Sequence, residues 1–422
     1  MDISTFKAFR SRNYRLFFSG QSISLIGTWM QRTAVYWLIY AQTHSAFMLG
    51  VAVFALQFPS FLFSPLGGVV TDRYNRYWVM LAAQISALIQ ATLLFILVMF
   101  TRYTIWEIIA LSGLLGIINA FDAPARHSMV NDMVDKKEDL PNAIALNSSM
   151  ANLARLIGPA ISGIVLEKLG AGTSFLINAI SFLAVIVSLL LMRFPKFIQQ
   201  PHSKKVILEF KEGWKYLKVT PSIGYIIFYI AIVSLLVLPF ATLLPIYAKD
   251  IFKGGASVFG YLNSAIGLGA IGGAFFLASL KSGIDFKKVL FSNLLLFGGS
   301  LVLFSYMTNL PVALLFVMLA GFGMMAQTTI STTIIQTNVS GEMRGRIISF
   351  FIMAYAGMLP LGGLLVGTVS QYIGAPNTII AEGIIAIVIA IVFLSFLRKD
   401  LSKEKNKIML PYFEYPPTIS DE

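Results

Sequence analysis

Twelve apolar stretches, most of them twenty residues or longer, govern what this chain can become. They run near 16–41, 46–70, 77–100, 104–123, 142–166, 171–193, 222–247, 256–280, 286–307, 311–336, 344–373 and 376–397. A helix needs about 20 mostly apolar residues to cross bilayer hydrocarbon, where every backbone polar group has to be bonded within the protein. Strands of a membrane barrel would instead alternate over about ten residues. The runs therefore predict an all-α membrane protein. Composition agrees: 57% of the 422 residues are hydrophobic and only 12% charged, too little charge for a water-soluble fold that has to cover this much apolar surface. Cys is absent, which excludes disulfides and thiolate chemistry, and His44, His127 and His202 are far apart. No metal site and no cofactor is expected.

The net charge of +12 is distributed one-sidedly. Of 32 Lys and Arg, 26 fall on alternate connections, while the opposite connections hold Arg102, Lys168, Lys249 and Lys253, and Arg32 and Arg155 lie within spans. Positive loops mark the cytoplasmic side, so both termini are expected there. The charge is a topology and headgroup signal, not a nucleic-acid one. Lys7, Arg10, Arg12 and Arg15 lead into a full-length span without a small-residue cleavage pattern, so the first span is expected to be retained.

The longest polar interruption, 194–221, carries Lys204, Lys205, Lys211, Lys215 and Lys218. Within it Val206, Phe210, Trp214 and Leu217 recur at helical spacing, predicting an amphipathic helix on the cytoplasmic surface that tethers two bundles. The chain then divides into an N-terminal six-helix bundle (1–193), this linker, a C-terminal six-helix bundle (222–398) and a polar tail (399–422) with Pro411, Pro416 and Pro417. Pro159 and Pro360 stand at matching places in the two halves. Such parallel repeats put a site between the halves near the midplane.

Span two ends in Gly68-Val69-Val70-Thr71-Asp72-Arg73-Tyr74-Asn75-Arg76. Asp72 falls at the partially negative end of its helix and needs a positive neighbour; Arg73, Arg76 and the start of span eleven near Gly345 are the candidates. The pattern resembles the G-x-x-x-D-R-x-x-R signature of the major facilitator superfamily, in the loop where that superfamily carries it. The resemblance implies twelve transmembrane helices in two pseudo-symmetric six-helix bundles. It also implies a cytoplasmic gate in which Gly68 allows close helix approach and Asp72, Arg73 and Arg76 latch the halves. The second-half counterpart (Lys281, Asp285, Lys287, Lys288) is degenerate. Asn13–Phe17, Gly27–Gln31, Ala120–Arg126 and Arg155–Pro159 further resemble the drug and siderophore exporters that include enterobactin and macrolide efflux proteins. Gly158, Pro159 and Gly163 look like the span-five motif of antiporting exporters.

An ionisable side chain at mid-membrane costs about 2.5–3.5 kcal/mol or more on insertion scales, so it marks a partner, water or a purpose. Arg155 is central in span five and Arg32 lies near the middle of span one. In the implied fold both face the central cavity, where two fork-shaped donors suit an anionic or carbonyl-rich substrate; the alternative is a structural pairing with an acid or helix-end carbonyls. Gln31, Asn147 and Asn152 are further candidate substrate contacts, the two asparagines sharing a helix face with Arg155 by spacing. Carboxyls for proton coupling are scarce: Asp122 leads, with Glu107 and Glu382 behind it. Span one lacks the acid that many proton-coupled drug exporters carry there. Gly269 with Gly273, and Gly363 with Gly367, fit a helix-packing pattern.

The reading is a secondary active exporter of amphipathic small molecules in the bacterial cytoplasmic (inner) membrane, coupled to protons. A lysophospholipid flippase on the same fold is the close alternative, and an importer comes third. Expected partners are a small-molecule substrate, protons and the lipid bilayer, with the chain a monomer. A membrane-embedded enzyme would need a clustered base or nucleophile, for which His127 near Asp122 and Asp132 is the one weak candidate. No phosphate loop of the G-x-x-x-x-G-K-[ST] type is present, which disfavours a primary pump.

Overall fold

The computed structural model describes residues 3–194, 206–280 and 284–408. Among them the structure is helical, with short 3₁₀ and π turns. The first half holds α1 (Arg12–Thr43), α2 (Ala46–Arg73), α3 (Arg76–Phe100), α4 (Ile105–Met133), α5 (Leu140–Leu169) and α6 (Ala171–Leu191). Helix α7 (Val206–Val219) connects to α8 (Pro221–Leu236), and α9 (Ala256–Ala278), α10 (Phe286–Ser305), α11 (Leu310–Asn338), α12 (Gly341–Ile373) and α13 (Ala375–Ile408) follow. Among the described residues eleven helical segments are long and apolar enough to cross a membrane. Helix α1 is 32 residues long but is not one of the eleven; Gln31 and Arg32 sit at its middle.

Local chemistry sets several boundaries. Ser45, Asn75 and Asn309 cap α2, α3 and α11 by accepting backbone N–H groups with their side chains. Gly170 and Gly374 stand at the ends of α5 and α12 with φ of 83° and 82°, a left-handed geometry that favours glycine. Helix α4 runs ten residues past the apolar stretch that announced it, to Met133. The expected continuous helix over 222–247 is instead broken: α8 stops at Leu236, and a 3₁₀ turn (Leu238–Leu243) and a π turn (Tyr247–Ile251) follow. Pro239 and Pro245 cause the break, since each lacks the N–H of a helical bond and clashes with the preceding turn.

Packing follows the halves. In the first, α1 packs on α5 and α6, α2 on α4, and α3 on α4 and α6; in the second, α9 packs on α11, α10 on α11 and α13, and α12 on α8. Across the halves α2 packs on α12 and α5 on α9. These two crossings are backbone-close. A Cβ at Gly50 would lie 2.7 Å from the Gly363 carbonyl oxygen, and one at Gly163 would lie 2.7 Å from that of Ala256. Gly363 and Gly367 therefore face α2, whereas Gly273 lies against Phe322 of α11. The outside of the molecule carries exposed apolar side chains such as Ile89, Phe228 and Phe275, as lipid contact requires.

The connecting helix α7 docks on α12: Glu212 pairs with Arg346 at 2.9 Å, and Trp214 lies 6.2 Å from the Phe350 ring. Lys204 and Lys205, the side chains of Val206 and Phe210, Lys281 and the prolines of the tail lie outside the described residues.

Candidate functional site

A cavity of about 540 Å³ opens between the halves, lined by α1, α2, α4 and α5 on one side and by the broken segment after α8, α9, α11 and α12 on the other. Its wall is mostly apolar, with Thr28, Gln57, Ser60 and Asn119 as neutral polar groups. Arg32 and Arg155 both line it, and among the described residues no Asp or Glu does. The two guanidinium carbons lie 5.2 and 5.7 Å from the centre of the same indole, Trp29. Arg32 is also 5.7 Å from the Tyr36 ring and donates to its hydroxyl at 3.2 Å. Arg155 reaches Met324 Sδ at 3.6 Å. Among the described residues no carboxylate pairs with either arginine. Aromatic faces return about 0.5–2 kcal/mol per cation, less than a mid-membrane charge costs on insertion scales. The aromatic contacts thus leave most of the two arginines' charge uncompensated by protein groups among the described residues.

The other expected contacts scatter. Gln31 lines the cavity but is buried and already bonded: it donates to Gln90 at 3.0 Å and accepts from Asn178 at 2.7 Å. Asn147 does not line the cavity; it accepts from the Tyr14 hydroxyl at 3.0 Å, two helical turns from Arg155. Asn152 is not part of the wall either. Eight residues along a helix advance about 12 Å, so sharing a face did not put Asn147 at the same depth. Pro159 lines the cavity, while its two companion glycines face different neighbours. Gly158 lies under Trp29, with a Cβ there 2.5 Å from the Trp29 Cβ, and Gly163 meets α9.

The candidate acids differ in surroundings. Asp122 is buried on α4, where it accepts from Gln84 at 2.7 Å and pairs with Arg126 at 3.3 Å. Glu107 caps α4, accepting from the Thr104 backbone at 2.6 Å. Glu382 on α13 is 2% exposed, and neither carboxyl oxygen has a hydrogen-bond partner. Of the two acids near His127 in sequence, Asp122 pairs with Arg126 and Asp132 with Arg76 at 3.5 Å.

The motif at the end of α2 leaves Asp72 and Arg73 exposed and directs Arg76 to Asp132. A Cβ at Gly68 would meet open space, whereas Gly67 lies against the Ala120 carbonyl of α4. One residue turns a helix by about 100°, which moves Gly68 off the α4-facing side. At the opposite end of the molecule, hereafter the far side, the halves are joined by bonds the sequence did not announce. The Tyr40 hydroxyl donates to Asp250, Lys249 Nζ donates to the Ala41 carbonyl at 3.0 Å, and the Ser257 N–H donates to Glu167 at 3.1 Å. Ser45 and Gln371 add a bond of 3.0 Å.

The family described as transmembrane secretion effector, within the major facilitator superfamily, matches residues 3–419. The chain belongs to that family. A staphyloferrin A transporter of Staphylococcus aureus is 30% identical over 393 residues, covering 91% of this chain and 96% of that protein. A macrolide efflux protein A of Streptococcus pyogenes is 21% identical, covering 89% of this chain and 93% of its own. A crystal structure of a POT peptide transporter shares the fold, with TM-score 0.74 at 12% identity over 92% of this chain and 94% of that one. The protein is thus a multi-pass membrane transporter of the major facilitator type, and not an enzyme. Of its cavity residues, Trp29 and Tyr36 were missed from sequence. Tyr36 stands four residues from Arg32 and was within reach of a spacing argument; Trp29 meets Arg155 only through the packing of α1 on α5.

Proposed function

We propose that this transporter exports amphipathic small molecules bearing an anionic group, of the siderophore or drug type, from the cytoplasm in exchange for protons. The observation that carries the reading is the pair of guanidiniums, unpaired with any acid among the described residues, on the wall of one cavity between the halves. Arg forks match carboxylate geometry and keep their charge. A relative named for staphyloferrin A supports the siderophore class, and one named for macrolide efflux supports export. In this reading α1 counts as a twelfth span, giving six-helix bundles over 1–193 and 222–398 with the 194–221 linker on the cytoplasmic face. The termini are cytoplasmic, in keeping with the one-sided basic charge. The protein works as a monomer in the inner membrane. The Asp72, Arg73 and Arg76 motif forms the cytoplasmic gate, and the far-side bonds form the external one. Alternating access follows by rocking about the glycine-lined α2–α12 and α5–α9 crossings.

Everted vesicles with an imposed pH gradient test this, using a carboxylate siderophore, a macrolide, a cationic dye and a lysophospholipid as probes. Gradient-driven accumulation of the siderophore or macrolide, with the siderophore lost in Arg155→Ala, is the expected result. Gradient-independent movement of lysophospholipid alone would replace the exporter with a flippase.

A further inference from the structure

The coupling proton needs a carboxyl that is alternately buried and wet, and the described acids differ in whether they are free to serve. Asp122 is held by Gln84 and Arg126, and Glu107 caps a helix. Glu382 is 2% exposed with both oxygens unpartnered. An ionised carboxylate buried to that depth with no hydrogen bond from the protein is costly, so the arrangement favours the neutral acid over the anion.

The surroundings of Glu382 tie it to the far side. It lies seven residues into α13, about 10 Å along the helix from its start, where Gly383 packs against Gly298 of α10. The elements against α13 are α8, α10, α12 and the broken segment after α8. From α8, Tyr229 is bonded to Gln327. Among the described residues α10 and α12 bring no cation or acid into ion-pair reach of Glu382. From the broken segment comes Tyr247, which shares one buried core with Ile379 and Ala386, the α13 residues three before and four after Glu382. The Tyr247 ring stacks on Phe304 at 4.4 Å, and its hydroxyl donates to the Ser305 carbonyl at 3.4 Å. Tyr247 also opens the π turn Tyr247–Ile251. That turn carries Lys249 and Asp250, which bond to Ala41 and Tyr40 of α1 and hold the far side shut.

We propose that Glu382 is the proton-binding site of the transport cycle and that its protonation holds the far side closed through Tyr247. With the proton bound, the neutral acid stays buried, Tyr247 keeps its seat on α10, and the turn carrying Lys249 and Asp250 meets α1. Loss of the proton leaves an anion that needs water. Hydrating it shifts the segment around Tyr247 and releases the Asp250 and Lys249 contacts. Nothing else is exchanged in the step: a carboxylate oxygen takes a proton from one side and gives it to the other. The inference rests on the proton-coupled reading above and names its site.

The test uses the full-length chain, which lacks Cys, so two introduced cysteines take spin labels without background. Gln42→Cys and Lys253→Cys put labels on the two halves at the far side. In the otherwise unaltered protein, moving from acidic to alkaline buffer is expected to lengthen the label separation. In Glu382→Gln, which mimics the neutral acid, the separation is expected to stay short at both pH values, while Glu382→Asp keeps a response. An equal lengthening in Glu382→Gln, or no response in the unaltered protein, overturns the proposal. A transport arm uses staphyloferrin A in proteoliposomes. Glu382→Gln should exchange it between equal pools yet lose pH-gradient-driven accumulation. Accumulation kept in Glu382→Gln but lost in Asp122→Asn assigns the proton to Asp122 and also overturns it. If the unaltered protein moves no staphyloferrin A, the substrate reading fails, and the label distances decide on Glu382 independently.

Discussion

Arg155 and Gln31 were both candidate ligands from sequence, and their surroundings now separate them. Arg155 presents its guanidinium to the cavity against Trp29 and Met324; Gln31 has its donor on Gln90 and its acceptor under Asn178. Removing a charge-assisted bond to an anion costs about 1.5–3 kcal/mol. Arg155→Ala should therefore weaken an anionic substrate roughly 10–100-fold while leaving the thermal unfolding of the detergent-solubilised protein nearly unchanged. Gln31→Leu should do the reverse. It leaves the Asn178 amide N–H and the Gln90 amide oxygen without their partner and is expected to cost about 1–3 kcal/mol of stability, read as a lower unfolding temperature with substrate affinity retained.

Among the elements, the α5–α9 crossing and the α7 docking make opposite predictions. At the crossing a Cβ on Gly260 would sit 2.5 Å from the Pro159 carbonyl oxygen. Gly260→Leu forces α9 away from α5 at an overpacking cost of about 1–3 kcal/mol. It should abolish transport and lengthen the far-side label separation even in acid. Where α7 meets α12, the Glu212–Arg346 pair is partly exposed, at 46% and 20% for the two side chains. Water screens such a pair, so Glu212→Gln is expected to change stability by less than about 1 kcal/mol. A loss several-fold larger in thermal unfolding would show that the linker helix is integral to the second half. Helical periodicity in 206–217 was legible in the sequence; the partner Arg346, some 130 residues away, was not.

For the whole molecule, the balance between closed and open far sides rests on a few bonds between α1 and the broken segment after α8, together with the Glu167 and Gln371 contacts. A typical net hydrogen bond contributes about 1 kcal/mol. Tyr40→Phe should therefore raise the ratio of far-open to far-closed molecules about five-fold. The weights of the two label-distance populations would check this, and unchanged weights would remove Tyr40 from the closure.

Composition and the lengths of the apolar runs determined that this chain is helical and crosses a membrane many times, because hydrocarbon admits no unbonded backbone and that constraint acts locally. The Asp72–Arg76 motif and the intramembrane arginines were likewise readable, since an unusual residue type in an apolar run is a local anomaly. What remained hidden depended on which distant surfaces meet. Tertiary packing alone brought Trp29 to Arg155, committed Gln31 and Asp122 to neighbours, turned Gly67 rather than Gly68 towards α4, and left Glu382 buried without a partner. Spacing along one helix fixes a side chain's direction, but its depth and its partner are set by the helix packed across from it.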